Sequence, residues 1–192
     1  MQPLVLASTS PYRAELLQRL GIEFTVFSPQ CDETPGNRES AHNLVRRLAQ
    51  SKAQSGVNEH PEALIVGSDQ VAEHDGKIIG KPQGVEQACS QLRQVSGRSV
   101  MFYTGVCVLN AKTGLHTVGS STTLVRFRHL DDGEIHRYIE RENPLDCAGS
   151  FKSEGLGVSL FRNVRSDDPT ALVGLPLIQL SEMLRKEGLE VP

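Results

Sequence analysis

The sequence lacks the features that would place it in a membrane, at a zinc centre or on nucleic acid. No apolar run approaches the ~18 residues that a membrane-spanning helix needs. The formal net charge is −3, so the basic excess of a general nucleic-acid-binding protein is missing. The four cysteines have no C-x-x-C spacing and no histidine close by, which favours reduced thiols over a zinc site. We therefore expect a soluble protein that binds neither a membrane nor nucleic acid.

Several common catalytic motifs are absent as well. The chain has no P-loop, no G-x-S-x-G nucleophile elbow, no G-x-G-x-x-G after a strand and no H-E-x-x-H pair. The six histidines are interpreted as surface residues. The start of the chain also lacks a basic segment followed by an apolar one, which is the pattern of a signal peptide. These absences favour a cytoplasmic location.

The segment from Leu4 to Arg13 is the most informative part of the chain. A short apolar run ends in Ser-Thr-Ser and is followed by Pro11 and a helical pattern, which predicts a buried strand that leads into a helix with Ser10 as its N-cap. The free N–H groups of a helix start attract anions, and Ser8 and Arg13 add a donor and a positive charge. A phosphate-binding turn is one interpretation, and a plain structural turn is the other.

The rest of the pattern predicts an α/β fold in one domain, with a long antiparallel pair of strands in its second half. Strands are predicted at 22–27, 63–66, 71–74, 77–79, 99–109, 116–127 and 158–161. Further helices are predicted at 39–55, 84–95 (with Val85 inward), from Asp131, and from about Pro176. An Asp75-Gly76 turn and a capping box of Asp131 with Glu134 give these boundaries a physical basis.

Two carboxylates are candidates for chemistry. Asp69 follows the predicted strand 63–66, where an α/β sheet opens towards its ligands, and Glu33 lies in a loop after another strand. Together they can ligate Mg²⁺, which prefers one or two carboxylates with substrate phosphates and water. Asp69 can alternatively accept a proton from an attacking water, or simply cap the following turn.

Four cations accompany these acids: Arg13, Lys52, Lys81 and Lys152. Lys52 falls on the apolar stripe of the predicted helix 39–55, so its ammonium either snorkels to water or meets a buried anion. Lys152 and Glu154 are two residues apart in a predicted extended loop, 149–155, and would point the same way. Such a set of charges matches a metal-bound triphosphate, whose charge must be neutralised during phosphorus–oxygen cleavage.

These motifs, in this order, resemble the Maf-like nucleotide pyrophosphatases, and within them the YceF-type branch that acts on 7-methyl-GTP. The segments that carry the resemblance are 8–13, 32–34, Lys52, 67–71, 80–82, 149–155 and 172–176. The resemblance implies a Maf/ITPase-like fold over residues 1–192: a mixed, largely antiparallel extended sheet flanked by helices, with two lobes around a central cleft. It also implies hydrolysis of 7-methyl-GTP to 7-methyl-GMP and pyrophosphate, with Mg²⁺ or Mn²⁺, by a monomer or homodimer.

The resemblance assigns a role to each matching residue. It implies that Asp69 accepts the proton and binds metal together with Glu33. Phosphates would be held by Ser8, Arg13, Lys52, Lys81 and Lys152. The base would be selected by Tyr12, Gln70 and Glu154. Tyr12 stands where the nearest relatives are expected to have Trp, which stacks more strongly on a base.

Residue chemistry supports a methylated purine. N7-methylguanine is positively charged, so an aromatic face such as Tyr12 attracts it, and Glu154 can accept hydrogen bonds from guanine. Two alternatives stay open. One is the same reaction on dTTP, UTP or another modified nucleotide, where the related branch typically has Thr for Gln70 and Gln for Glu154. The other is a nucleotide-responsive regulator of cell division with secondary hydrolysis.

Overall fold

The computed structural model describes residues 2–191, so Met1 and Pro192, the ends of the predicted domain, lie outside it. The chain divides into two compact units. The first unit contains the chain up to Gln70, the segment Thr104–Ser121 and the chain from Asp168 onward, and the second contains Val71–Tyr103 and Thr122–Asp167. This division agrees with the two predicted lobes, whereas the central cleft and the single domain over 1–192 stay predictions.

The fold is mixed α/β, with an open, mostly antiparallel sheet and five α-helices within the described residues. The strands are β1 (Leu4–Ala7), β2 (Thr25–Phe27), β3 (Leu64–His74), β4 (Lys77–Ile79), β5 (Ser99–Asn110), β6 (His116–Phe127) and β7 (Phe161–Ser166). The helices are α1 (Pro11–Gln18), α2 (Ala41–Ser55), α3 (Val85–Val95), α4 (Asp132–Glu142) and α5 (Leu177–Lys186). The predicted fold class is thereby confirmed. Across 2–191, every helix is too short or too polar to span a membrane.

The strand order is β2-β1-β3-β5-β6-β7, with β4 paired to β3. β1 runs parallel to β2 and to β3, while β4 is antiparallel to β3 and β7 is antiparallel to β6. In the first unit, β1 buries side chains on both faces. Leu4 and Leu6 join the core formed with α1 and α5, while Val5 and Ala7 pack on the side of α2. Burial on both faces explains why β1 has a continuous apolar sequence rather than an alternating one.

The first unit begins with the predicted strand-to-helix turn. Ser10 Oγ accepts a hydrogen bond from Arg13 N at 3.4 Å as the N-cap of α1, and Pro11 occupies the first helical position. Gly21, with a φ of 68°, takes the left-handed conformation just beyond the helix. The local sequence therefore determines both ends of this helix.

Two glycines allow α2 to lie directly on the sheet of the first unit. A Cβ at Gly67 would come within 2.0 Å of Ala49 O, and one at Gly105 would come within 2.2 Å of Val45 O. Only a residue without a side chain permits this approach. Lys52 is three residues beyond Ala49, so the close packing of α2 brings the lysine against β3.

The second unit contains the turns that the sequence predicted. Asp75 and Gly76 join β3 to β4 with φ values of 49° and 73°, as a type I′ hairpin requires. The Asp131 side chain accepts from Glu134 N at 2.8 Å, while the Glu134 carboxylate accepts from Asp131 N at 2.9 Å. This reciprocal pair is the predicted capping box at the start of α4.

Four phenylalanines form an aromatic cluster in the second unit: Phe102, Phe127, Phe151 and Phe161. Phe151 is in edge-to-face contact with each of the other three, with ring centroids 4.9 to 5.5 Å apart. Such contacts add to the stability gained from burial of the rings. Since Phe151 directly precedes Lys152, the cluster also fixes the main chain beside that lysine.

Three predictions about the elements are wrong in detail. The strand expected at 22–27 covers only Thr25–Phe27, because these three residues are the ones that pair with β1. The strand expected at 158–161 starts only at Phe161 and runs to Ser166, because Leu156–Leu160 form a 3₁₀ helix. That strand exposes both faces, so its polar sequence gives no alternating signal. Val85, expected to face the core, is 50% exposed.

Candidate active site

Lys52 and two carboxylates form the charged centre of the first unit. The Lys52 ammonium lies 2.6 Å from Asp69 Oδ1 and 2.9 Å from Glu33 Oε1. The Lys52 side chain is only 8% exposed, so it meets the buried anion Asp69 and does not snorkel to water. Of the two interpretations of this lysine, the structure therefore selects the second.

Asp69 lies inside a strand and not at the end of one. β3 continues from Leu64 to His74, because its second part pairs with β4 through residues 72–74. The prediction that Asp69 follows the end of a strand is thus wrong, and so is the alternative in which it caps a turn. Its side chain is 10% exposed and is held by Lys52.

Arg13 and Ser8 are brought together by the turn between β1 and α1. Arg13 Nε donates to Gly174 O at 2.8 Å, and its Nη1 donates to Ser8 Oγ at 3.4 Å. Burial lowers the pKa of the Arg13 guanidinium, and the negative charges of Asp69 and Glu33 oppose this change. Arg13 therefore lies within the electric field of the two carboxylates.

The charges of this group balance. Arg13 and Lys52 are two cations, and Glu33 and Asp69 are two anions, so the group is formally neutral before any ligand binds. The field extends to Cys31, whose pKa is raised by burial, with Lys52 opposing the increase and the two carboxylates reinforcing it. A polyanionic ligand would need further positive charge, from a metal ion or from additional lysines.

The residues that could hold a metal here are the two carboxylates. Among residues 2–191, no group of three or more His, Cys, Asp or Glu side chains is arranged to bind an ion. Asp69 and Glu33 nevertheless both approach the same ammonium, so their oxygens already converge on one cation. This donor set suits Mg²⁺, which takes few protein carboxylates and completes its shell with water and phosphate.

Arg47 supports the loop that carries Glu33, a role that was not predicted from the sequence. Its guanidinium makes a bidentate pair with Glu39, at 2.8 and 2.9 Å, and donates to the main-chain oxygen of Thr34 at 3.0 Å. Glu39 in turn accepts from Gly36 N at 2.8 Å. The loop around Glu33 is thereby attached to α2, the helix that carries Lys52. In the sequence, the only sign of this role is that Arg47 lies on the same predicted helix as Lys52, five residues before it.

Gln70 is held by Thr104 of β5 and by the C-terminal part of the first unit. Its Nε2 lies 2.9 to 3.1 Å from Thr104 Oγ1, Ala171 O and Leu172 O. The amide nitrogen is therefore used within the protein, and the oxygen of this side chain is the atom suited to a ligand. Tyr12, the other predicted base-selecting residue of this unit, is half-buried on α1.

Lys81, Lys152 and Glu154 belong to the second unit. Lys81 and Glu154 are exposed, whereas Lys152 is half-buried, with its ammonium 3.4 Å from Glu142 O and 3.8 Å from Asp146 Oδ1. The segment 152–155 is a turn, in which Gly155 N donates to Lys152 O at 3.3 Å. The expectation of an extended loop is therefore wrong, and the alternation of an extended chain no longer supports the prediction that Lys152 and Glu154 point the same way.

Comparison with known proteins identifies the family. The family model described as "Maf-like protein" matches residues 3–187. A protein of Pseudomonas aeruginosa named 7-methyl-GTP pyrophosphatase is 54% identical over 192 residues, which is 100% of both chains. Proteins of the same name from Pseudomonas savastanoi pv. phaseolicola, at 54% over 100% of both chains, and from Vibrio parahaemolyticus, at 52% over 98% of this chain and 97% of that one, are also similar. The chain therefore belongs to the Maf-like protein family.

Proposed function

We propose that this chain is a nucleoside triphosphate pyrophosphatase that hydrolyses 7-methyl-GTP to 7-methyl-GMP and pyrophosphate. The observation that carries the reaction type is the convergence of Asp69 and Glu33 on the Lys52 ammonium, with the Arg13 guanidinium subject to the charge of both carboxylates. The substrate follows from the names of the full-length relatives, which are 52–54% identical to it. The proposed enzyme works in the cytoplasm on a free nucleotide, as a monomer or homodimer, without nucleic acid.

In the proposed reaction, water attacks the α-phosphorus. Asp69 accepts the proton of that water, a new P–O bond forms, and the bond from the α-phosphorus to the α–β bridging oxygen breaks. Pyrophosphate leaves with that oxygen and its electron pair. Because Asp69 already shares a short hydrogen bond with Lys52, the ammonium keeps the carboxylate oriented and is itself available to a phosphate oxygen.

A divalent cation fits this proposal. Asp69 and Glu33 would hold Mg²⁺ or Mn²⁺ beside the Lys52 ammonium, on which oxygens of both carboxylates already converge. When bound, the metal polarises the phosphoryl oxygens and neutralises part of the triphosphate charge. The partly exposed Glu33 leaves one side of the pair accessible to water and phosphate.

The remaining assignments concern phosphates and the base. Ser8 and Arg13 would hold phosphate oxygens at the start of α1, and Lys81 and Lys152, in the second unit, would bind phosphate oxygens through their ammonium groups. Tyr12 would stack on the charged ring of N7-methylguanine through a cation–π contact. The Gln70 oxygen and the Glu154 carboxylate would accept hydrogen bonds from the base edge.

The test is release of pyrophosphate by the purified protein with Mg²⁺ and a panel containing 7-methyl-GTP, GTP, dTTP and UTP. We expect kcat/KM to be highest for 7-methyl-GTP, with equimolar 7-methyl-GMP and pyrophosphate as products. A preference for dTTP or UTP would replace the proposed substrate and keep the reaction. Nucleotide binding without turnover of any of the four would overturn the reaction itself.

A further inference from the structure

One polar side chain in the second unit links the segments that precede Lys81 and Lys152. Gln91 lies on α3 and is 9% exposed. Its Oε1 accepts a hydrogen bond from Ser150 Oγ, and its Nε2 donates to Gly80 O at 3.2 Å. Burial of an amide costs free energy unless both of its ends are paired, and here both are.

Both hydrogen-bond partners of Gln91 lie within two residues of a lysine in the sequence. Gly80 directly precedes Lys81, and Ser150 is two residues before Lys152. The two segments are also joined directly, because Gly149 N donates to the same Gly80 O, although this bond is long at 3.4 Å. Gln91 therefore supplies the second and shorter connection, and it does so from a helix rather than from a loop.

The conformation of Ser150 shows why the link matters. Ser150 has a φ of 61°, a left-handed conformation that residues other than glycine seldom adopt, and its side chain is completely buried. A strained backbone persists only where its surroundings fix it. The Ser150 hydroxyl donates its hydrogen bond to Gln91, so this bond is part of what fixes the residue. Beyond it, Lys152 N donates to Tyr138 OH at 3.0 Å, which carries the fixed geometry as far as the lysine.

We infer that Gln91 is a positioning residue, which fixes the Lys81 and Lys152 segments relative to each other so that both lysines meet the phosphates of one substrate. The fixed arrangement is a property of the second unit alone. Its consequence for catalysis rests on the proposed function, in which these lysines bind phosphate.

The test uses Gln91→Met, which keeps the length of the side chain and removes both hydrogen bonds. Calorimetry with tripolyphosphate, a probe that has phosphates but no base, should give a dissociation constant raised roughly ten-fold. The KM for 7-methyl-GTP should rise by a similar factor, while inhibition by the nucleoside 7-methylguanosine stays unchanged. If the binding of tripolyphosphate and of the nucleoside weakens equally, the substitution has damaged the site as a whole and the inference fails. Unchanged binding of tripolyphosphate would also overturn the inference.

Two matched variants separate positioning from stability. Gln94→Met changes an exposed glutamine on the same helix and should leave both constants as in the wild type. Leu92→Ala opens a cavity at a fully buried neighbour, so it should lower the midpoint of thermal unfolding. Measured at a temperature 20 degrees below the midpoint of the variant, its dissociation constant for tripolyphosphate should stay as in the wild type. If Leu92→Ala weakens the binding of tripolyphosphate as much as Gln91→Met does, Gln91 acts only through the stability of the fold, and the inference is overturned.

A further comparison tests whether Gln91 acts on phosphate binding through the two lysines. On a background of Lys81→Ala with Lys152→Ala, Gln91→Met should change tripolyphosphate binding by less than two-fold, because the lysines it positions are gone. A full ten-fold further loss on that background would overturn the inference. If the wild type hydrolyses none of the nucleotides, the proposed function fails, but the calorimetric comparison still decides the role of Gln91.

Discussion

The Lys52 ammonium and the Asp69 carboxylate form a pair 2.6 Å apart in which both side chains are at least nine-tenths buried. Such a pair is costly to break on one side, because the partner left behind is a charge with little water around it. Glu33, with 61% of its side chain exposed, gives Lys52 a second and more hydrated partner. The two members of the pair are therefore unequal: loss of Asp69 leaves Lys52 with an anion, whereas loss of Lys52 leaves Asp69 beside another negative charge.

This asymmetry predicts a difference in stability. Lys52→Met should lower the free energy of unfolding by roughly 3 kcal/mol, because it leaves Asp69 buried and unpaired. Asp69→Asn should cost less, and Lys52→Met combined with Asp69→Asn should recover part of the loss. Urea unfolding of the three variants at pH 7 measures these values. Equal losses for both single variants, with simple additivity in the double variant, would contradict the prediction.

Asp69→Asn should also abolish most of the turnover while the fold survives. The amide keeps the volume of the carboxylate but cannot accept the proton of the attacking water, so kcat should fall at least about 100-fold. Pyrophosphate release under saturating 7-methyl-GTP and Mg²⁺ measures kcat, and circular dichroism monitors the fold. Near-normal turnover in a folded variant would remove Asp69 as the proton acceptor. Asp75→Asn, at an exposed turn of the second unit, is the matched control.

The helix caps and the hairpin turn could be predicted from the sequence because the residues that form each of them are close along the chain. The Ser10 cap, the Asp75-Gly76 turn and the capping box of Asp131 each involve residues no more than three positions apart. The unusual position of Lys52 on an apolar stripe was visible for the same reason. Its partner was not, because Asp69 is 17 residues away and meets Lys52 only through the close packing of α2 on β3.

Supporting side chains were beyond the sequence for a related reason. Gln91 contacts Gly80 and Ser150, which are 11 and 59 residues away, and an isolated glutamine on a helix gives no sign of burial. The length of β3 was underestimated because its polar continuation through Asp69 is stabilised by pairing with β4, a contact that apolar periodicity does not report.

Glu154→Gln should reduce selectivity for the methylated base. A neutral amide loses the charge-assisted acceptor that guanine N1–H and its exocyclic amine would use, so the ratio of kcat/KM for 7-methyl-GTP to that for dTTP should fall about ten-fold. The nucleotide panel measures this ratio directly. Glu140→Gln, an exposed glutamate on α4, is the control that should leave the ratio unchanged. An unchanged ratio in Glu154→Gln would remove this residue from base recognition.

Arg47→Met should weaken metal activation without preventing turnover. The substitution releases Thr34 O and Glu39 from the guanidinium, so the loop that carries Glu33 loses its attachment to α2. Outer-shell changes of this kind commonly cost about ten-fold in metal affinity, and the Mg²⁺ concentration for half-maximal activity should rise by that factor with kcat nearly constant. Arg46→Met is the neighbouring control. A fall in kcat with an unchanged Mg²⁺ requirement would argue against this role.

The pair of Glu39 with Arg47 also predicts a pH dependence of stability. Hydrogen bonds from Arg47 and from Gly36 N lower the pKa of Glu39 to about 2 from its ordinary 4.5. A carboxyl with a lowered pKa in the folded state stabilises the protein above its unfolded pKa, and this contribution is lost as the pH falls from about 4.5 towards 2. Glu39→Gln should thus be less stable than the wild type at pH 7, and the difference should shrink steadily below pH 4.5. Urea midpoints at pH 7, 4.5 and 3 measure it, with Glu59→Gln as an exposed control; a difference that stays constant over this range would show that ionisation of Glu39 does not stabilise the loop.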